Sequence, residues 1–429
     1  MRVCLVEDTK VEGLEPVVST RPVWELLCGV TPLETKQRRA ARASEVGYWC
    51  RPQLQEWVCV QRGGAAVNDR QWLVRAATLL INGRWLPAGS GISIQPGERP
   101  WVAWLGDEWV CAWLEPEQLA AWVHLGPQRA MEQWKTQLPS RPATGRLTTR
   151  LWELLEWNGA EIARDVAEGE YSRWRTQLPE GVVVLGPAEW VYVHPTAEIE
   201  PQVVIDTRPG PVVIEAGACL QAFSRIEGPC AIGKGSIVYS ARIRGGTTIG
   251  PQCRVGGEVE NSILIGYSNK YHEGFLGHSY VGAWVNLAAG THTSDLRCDY
   301  GFVSVSCGDG EVDSRRRKVG AFLGDHVKTG LGVLLDAGSV LEPFAQVLPS
   351  GGFAPRRISS FQRVGPSGVK LLHDIERLLR TVRIVLQRRG CELSPELERL
   401  YRYLAQRACE RSASGTVLPQ PVIPLRRTA

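Results

Sequence analysis

Between Val193 and Val347 aliphatic side chains recur every six positions: Val193, Ile199 and Ile205, then Ile214, Leu220, Ile226, Ile232 and Val238. After a one-residue slip come Ile243, Ile249 and Val255. Val281 and Leu287 keep the step, and Leu323, Leu335, Leu341 and Val347 resume it with Thr329 in one slot. Four residues after most of them stands a small side chain, as at Ala197, Ala218, Ser224, Cys230, Ser236, Thr247 and Ser339. Six is too long a period for one strand or one helix face, which repeat at about 2 and 3.6. It fits a hexapeptide β-helix, in which three short strands form one triangular coil. The aliphatic residue points into the prism and stacks on its equivalents above and below. Such coils wind left-handed, against the usual crossover rule, so only a strong repeat justifies them. This repeat is strong.

Two interruptions stand out. Arg208-Pro209-Gly210 adds a small loop, and a longer break runs from Thr293 to Arg317 and carries the basic run Ser314 to Lys318. Upstream, Val3-Cys4-Leu5-Val6 reads as a first buried strand, and Leu79-Leu80-Ile81-Asn82-Gly83 as a later strand ending in a turn. Residues 148–168 have helical spacing and bridge the two halves. Residues 368–386 and 394–411 read as two helices broken by Arg389-Gly390, followed by a loose tail. The organisation expected is an α/β domain over 1–145, a helical linker over 146–190, a left-handed parallel β-helix over 191–365, and a helical C-terminal segment with its tail over 366–429.

Composition narrows the function. With 44% hydrophobic and 22% charged residues the chain reads as a soluble globular protein. A net charge of +4, spread along the chain, calls for neither nucleic acid nor a membrane surface. No apolar run reaches the roughly 18 residues of a membrane span, and the N-terminus turns acidic before a signal-peptide core forms. The twelve cysteines include no Cys-x-x-Cys pair, which disfavours a zinc knuckle and leaves reduced thiols in a cytoplasm as the expectation. Fifteen of the sixteen tryptophans lie at or before Trp190, whereas five of the seven histidines fall between His194 and His326, so the two halves carry different chemistry.

The run GGEVENSILIGYSNKYHEGFLGHSYVGAWVNLAAGTHTSDL (256–296), with GDHVKTG (324–330), resembles the acetyltransferase domain of sugar-nucleotide enzymes. The opening, EDTKVEGLEPVVSTRPVWELLCGVTPLETK (7–36), resembles a shortened sugar nucleotidyltransferase domain. The combination is similar to an alternative branch of the bacterial bifunctional N-acetylglucosamine-1-phosphate uridyltransferase/glucosamine-1-phosphate acetyltransferase proteins. That resemblance implies acetyl transfer from acetyl-CoA to an amino sugar 1-phosphate, then nucleotidyl transfer from UTP or TTP, in UDP-N-acetylglucosamine biosynthesis for the cell envelope. It also implies a homotrimer, with acetyl-CoA between neighbouring prisms.

Acetyl transfer needs a base near neutrality, and histidine supplies one. Asn269-Lys270-Tyr271-His272 matches the family's lysine-then-histidine pattern, with one residue fewer between the two than in the better-known branch. The resemblance therefore makes His272 the base and Asn286 its companion in the catalytic set. Arg254, Lys270 and Tyr267 become substrate-binding residues, with Arg254 and Lys270 on the sugar phosphate. Nucleotidyltransferases cradle the triphosphate in a glycine-rich loop after the first strand. Here that place holds Glu7-Asp8-Thr9-Lys10, a clear departure. What survives is Arg21 and Lys36 for nucleotide phosphates and Asp8 for a magnesium ion. Two rivals remain: a non-catalytic sugar-nucleotide-binding or scaffolding protein, and a metal-dependent hydratase on the same solenoid. The second needs converging histidines, and no two here have the His-x4-His spacing.

Overall fold

A computed structural model describes residues 1–413 except 90, 91, 93, 96, 170, 175–177 and 309. The tail expected beyond the last helix lies at 414–429, outside the described residues. The N-terminal unit is built on a six-stranded mixed sheet in the order Glu45–Trp49, Arg2–Val6, Thr78–Asn82, Glu108–Leu114, Trp101–Leu105 and Ser140–Pro142. Its first three strands are parallel, and Glu108–Leu114 runs antiparallel to Thr78–Asn82. All of Val3 to Val6 is buried, as the unbroken apolar run requires of a central parallel strand.

From Val191 to Ile358 the chain folds as the expected left-handed parallel β-helix. One face is a nine-stranded sheet, whose inward column stacks Val193, Ile214, Ile232, Ile249, Leu264, Val281, Leu323, Leu341 and Ile358 in register. We call this the first face. The second carries Ile199, Leu220, Val238 and Val255 inward, and the third Ile205, Ile226, Ile243, Val259 and Leu276. Each column buries side chains at nearly every coil, which supplies the hydrophobic stabilisation of the prism.

The corner between the first and second faces carries Tyr267, Trp284, His326, Phe344 and Phe361, all in left-handed backbone conformation with φ between 56° and 66°. Their rings stack as a ladder: Tyr267 lies 4.4 Å from Trp284, His326 4.7 Å from Phe344, and Phe344 4.7 Å from Phe361. Non-glycine residues rarely adopt this conformation, and the stacking offsets its cost. Tyr401, from the C-terminal helix Pro395–Ala413, packs edge-on against His326 and Phe344, and its hydroxyl lies 3.1 Å from His326 Nε2.

The N-terminal unit lies on the first face. The helix Leu151–Glu168 buries Leu151, Leu154, Leu155 and Ile162, but also Asn158, Glu161 and Asp165. Asn158 accepts from Gly29 N at 2.7 Å and donates to Gly246 O at 2.8 Å, stitching an N-terminal loop to a solenoid coil. Tyr280 donates to Leu27 O at 2.9 Å. One apolar core runs through both regions, joining Val17, Trp24 and Leu27 to Ile263, Tyr280 and Phe322.

Two details differ from the expectation. The first C-terminal helix begins at Ile375 rather than 368, because Gly365 to Gly368 turns the chain into a hairpin of Gln362–Gly365 and Gly368–Leu371. The long break leaves the coil near Asp295, returns at Val319, and contains its own hairpin of Ser304–Cys307 and Gly310–Asp313.

Candidate functional site

Two regions take the residues singled out by sequence. The first is the crevice at the C-terminal end of Arg2–Val6, where open α/β sheets ordinarily bind ligands. Three short 3₁₀ turns, Thr9–Leu14, Val17–Thr20 and Val23–Glu25, fill the place of a phosphate loop. Asp8 accepts from Arg84 through both oxygens, Nε at 2.8 Å and Nη2 at 2.7 Å, and also from Asn82 Nδ2 and Lys10 N. Arg84 is fully buried and also donates to Glu108 Oε2 at 2.6 Å and Thr148 O at 2.9 Å. Glu7 is taken up in the same way by Arg51 and Val23 N.

The other two nucleotide candidates are equally engaged, at separate places. Arg21 is buried and joined to Asp325 of the solenoid, whose carboxylate also accepts from Thr20 Oγ1 and Ala283 N. Lys36 is buried against Asp165 and lies 3.3 Å from Glu161. The structure thus does not gather Asp8, Arg21 and Lys36 into one site. A magnesium ion at Asp8 does not fit the residues present, because an arginine already occupies the carboxylate's lone pairs. The physical reason is burial: Arg84, Arg21 and Lys36 sit where water is excluded, and each has taken an internal carboxylate as partner.

The second region is the corner between the second and third faces. Tyr271, His272, Glu273 and Gly274 leave the strand Asn269–Lys270 and enter Phe275–Gly277. His272 is exposed, and its ring lies edge-on to Tyr271 at 4.7 Å. Tyr271 in turn lies 4.1 Å from Tyr239, two coils up. The intervening residue is Gly256, where a Cβ would come within 2.0 Å of Tyr271 O, so glycine alone lets these coils approach.

Lys270 departs from the sequence expectation. By register it pairs with Val255 and so occupies the inward column of the second face, below Leu220, Val238 and Val255. It is 3% exposed, and its Nζ donates to Gly256 O at 2.8 Å and His272 O at 3.0 Å. Burial lowers its amine from the ordinary lysine value to about 8. An ammonium inside the prism and hydrogen-bonded to two carbonyls is not presented to a substrate phosphate. It holds the backbone of the residue proposed as base.

The outward row of the second face reads Arg254, Asn269, Asn286, Lys328, Gln346 and Arg363 in adjacent coils. Among the described residues Arg254 donates to the carbonyls of Gly235 and Cys253 alone. Beside it Arg389 donates to Asn269 Oδ1 at 2.8 Å and Gln252 O at 3.4 Å. Burial and the neighbouring Arg254 and Arg388 push the Arg389 guanidinium below its ordinary value. Among the described residues neither Arg254 nor Arg389 has a carboxylate partner, and two guanidiniums without one form a natural anion site. Asn286 Oδ1 lies 3.4 Å from Asn269 Nδ2, and burial lowers the Lys328 amine to about 8. Arg254, Asn286 and His272 therefore lie on one face and its adjoining corner. Tyr267 lies on the opposite edge of that face, stacked on Trp284. Sequence reasoning missed Arg389, whose segment registers only as a helix break, 120 residues from the asparagine it meets.

The remaining histidines do not converge. His272, His278 and His326 occupy three different corners of the prism, and His326 is buried in the aromatic ladder. This is not the geometry of a shared metal.

Residues 3–173 match the family model described as sugar nucleotidyl transferase. The chain is 34% identical over 233 residues to the bifunctional protein GlmU of Sphingopyxis alaskensis, covering 51% of this chain and 47% of that one. The GlmU of Jannaschia sp. is 31% identical over 222 residues, covering 48% and 44%. A bifunctional sugar-1-phosphate nucleotidylyltransferase/acetyltransferase of Sulfurisphaera tokodaii is 36% identical over 92 residues, covering 21% and 23%. The chain spans less than half the length of these curated relatives. It is similar to GlmU proteins over about half its length, and a region matching sugar nucleotidyl transferases lies ahead of its hexapeptide solenoid.

Proposed function

We propose that the protein transfers an acetyl group from acetyl-CoA to the amine of an amino sugar 1-phosphate, as a step in sugar-nucleotide biosynthesis. The observation that carries this reading is the exposed His272, its backbone held by Lys270, at one edge of the face whose outward row carries Arg254 with Arg389 against it, neither with a carboxylate partner among the described residues. The similarity to bifunctional acetyltransferases supports the substrate class. The amine nitrogen attacks the thioester carbonyl, forming the N–C bond, and the C–S bond breaks as the tetrahedral intermediate collapses. His272 takes the proton the amine loses, and the departing CoA thiolate is protonated in turn. Arg254 and Arg389 hold the sugar phosphate, Asn286 orients the sugar, and Lys270 positions His272. Tyr267 enters this reading only as support for the face.

The same reading makes the protein a cytoplasmic homotrimer. The corner that bears His272 continues downward into exposed Leu331 and Leu348, and the adjoining third face into exposed Leu334 and Phe353, an apolar stripe suited to a neighbouring prism. Light scattering should give about 142 kDa, three times 47.4 kDa. A stable monomer at micromolar concentration counts against it. For residues 1–145 the filled strand-end crevice favours a second reading, that of a scaffold that has kept the fold and buries the solenoid's first face. Coupled assays with acetyl-CoA and glucosamine 1-phosphate, and separately with UTP or TTP and sugar 1-phosphates, test both. Free CoA release without nucleotidyl transfer is the expected result, and no CoA release from well-folded protein would end the acetyltransferase reading.

A further inference from the structure

A cavity lies away from the His272 corner, where the N-terminal unit meets the solenoid. It has a volume of about 350 Å³ and is walled by Trp152 and Leu155 of the helix Leu151–Glu168, by Asn261 and His278 of one prism corner, and by Arg317 of the returning arm of the insertion. Three chain segments distant in sequence converge on it.

The charges around it are matched with one exception. Arg316 pairs with Glu156, Lys318 with Glu260, and His278 with Asp295. Arg317 is exposed and, among the described residues, has no carboxylate partner. His278 Nδ1 lies 2.7 Å from Asp295 Oδ2, and the His278 backbone is fixed by Glu260 O and Gly320 N. With Nδ1 committed to the carboxylate, Nε2 is the free ring nitrogen, and in the neutral ring it accepts a hydrogen bond. Trp152 and Leu155 offer an apolar wall against which the C–H face of a sugar ring packs. A volume of this order suits a small ligand with a few convergent polar groups.

We propose that this cavity binds a phosphorylated sugar, with its phosphate on Arg317, a hydroxyl on His278 Nε2 and its ring against Trp152. The site is independent of the His272 corner and its chemistry. Equilibrium dialysis of the full chain against radiolabelled glucose 1-phosphate tests it, using a protein carrying Arg254→Ala and Arg389→Ala so that the first anion site is disabled. One bound probe per chain is expected, with affinity falling at least about tenfold when Arg317→Ala is added, the loss of one charge-assisted phosphate contact. No binding by the double variant at millimolar probe, or equal binding with and without Arg317→Ala, overturns the proposal. Inorganic phosphate displacing the probe at equal concentration overturns the sugar assignment. Should the double variant fold poorly, a wild-type crystal soaked in glucose 1-phosphate decides: density against Arg317 and Trp152 supports the site, and an empty cavity beside a filled Arg254 site refutes it.

Discussion

The strand-end crevice of the N-terminal unit and the His272 corner of the solenoid use charged residues in opposite ways. In the crevice each cation is given acids, Arg84 having Asp8 and Glu108 and Arg51 having Glu7, and Lys36, elsewhere in the same unit, has Glu161 and Asp165. On the face beside that corner, among the described residues, Arg254 and Arg389 have only carbonyl and amide oxygens as partners, and Lys270 only two carbonyls. A buried charge that has found its counter-ion is finished chemistry, since its desolvation is already offset within the chain. A guanidinium left without one is free to attract a ligand. Residue type alone therefore misleads about function, and the state of pairing separates the two regions.

The largest test of this contrast is His272→Ala. Acetyl transfer should fall by roughly 10²–10⁴-fold, the usual worth of a positioned base, while thermal unfolding stays unchanged because the ring lies outside the prism. Retained turnover in folded protein would remove the catalytic assignment.

Next comes Arg84→Ala, which strands Asp8 and Glu108 in the crevice. A loss of about 3–5 kcal/mol is expected from breaking a buried ion pair, read by urea denaturation. If Asp8 instead served a metal, Asp8→Asn would leave stability intact and lower nucleotidyl transfer alone.

Lys270→Met sharpens the contrast within the solenoid. A flexible apolar side chain suits the inward column, so stability should change by less than about 1 kcal/mol. The turnover number should fall about tenfold with the Michaelis constant for the sugar phosphate unchanged, whereas a phosphate ligand would show the reverse. Because the Lys270 amine sits at about 8 in the folded protein, below an unfolded value of about 10.4, the unfolded chain holds more protons between those limits. Its share of stability therefore rises with pH from about 8 to 10.4 and is lost as pH falls back through 8. Turnover should decline above pH 8 as the charge-assisted bond to His272 O weakens, and Lys270→Met should flatten that limb. An unchanged pH profile would count against the positioning role.

The smallest effect expected is from Tyr401→Phe, which removes one hydrogen bond to His326 while keeping the ring packing. About 1 kcal/mol is expected, with acetyl transfer unaltered. A large activity loss would mean that the C-terminal helix does more than cover the ladder.

The hexad spacing from Val193 to Val347 determined the solenoid, because each coil repeats the same local requirement: an aliphatic residue inside and a small one at the turn. Nothing comparable marks Lys270. Its coil is shorter than its neighbours, so the six-residue count skips from Val255 to Val281, and a lysine in an aliphatic slot reads as a surface residue. The partners of Asp8, Arg21 and Lys36 were likewise illegible, since Arg84, Asp325 and Asp165 lie 76, 304 and 129 residues away. Sequence determined which side chains the chain carries and where a periodic backbone runs. Only the tertiary structure decided which charges were neutralised, because pairing depends on distances between segments that no local pattern encodes.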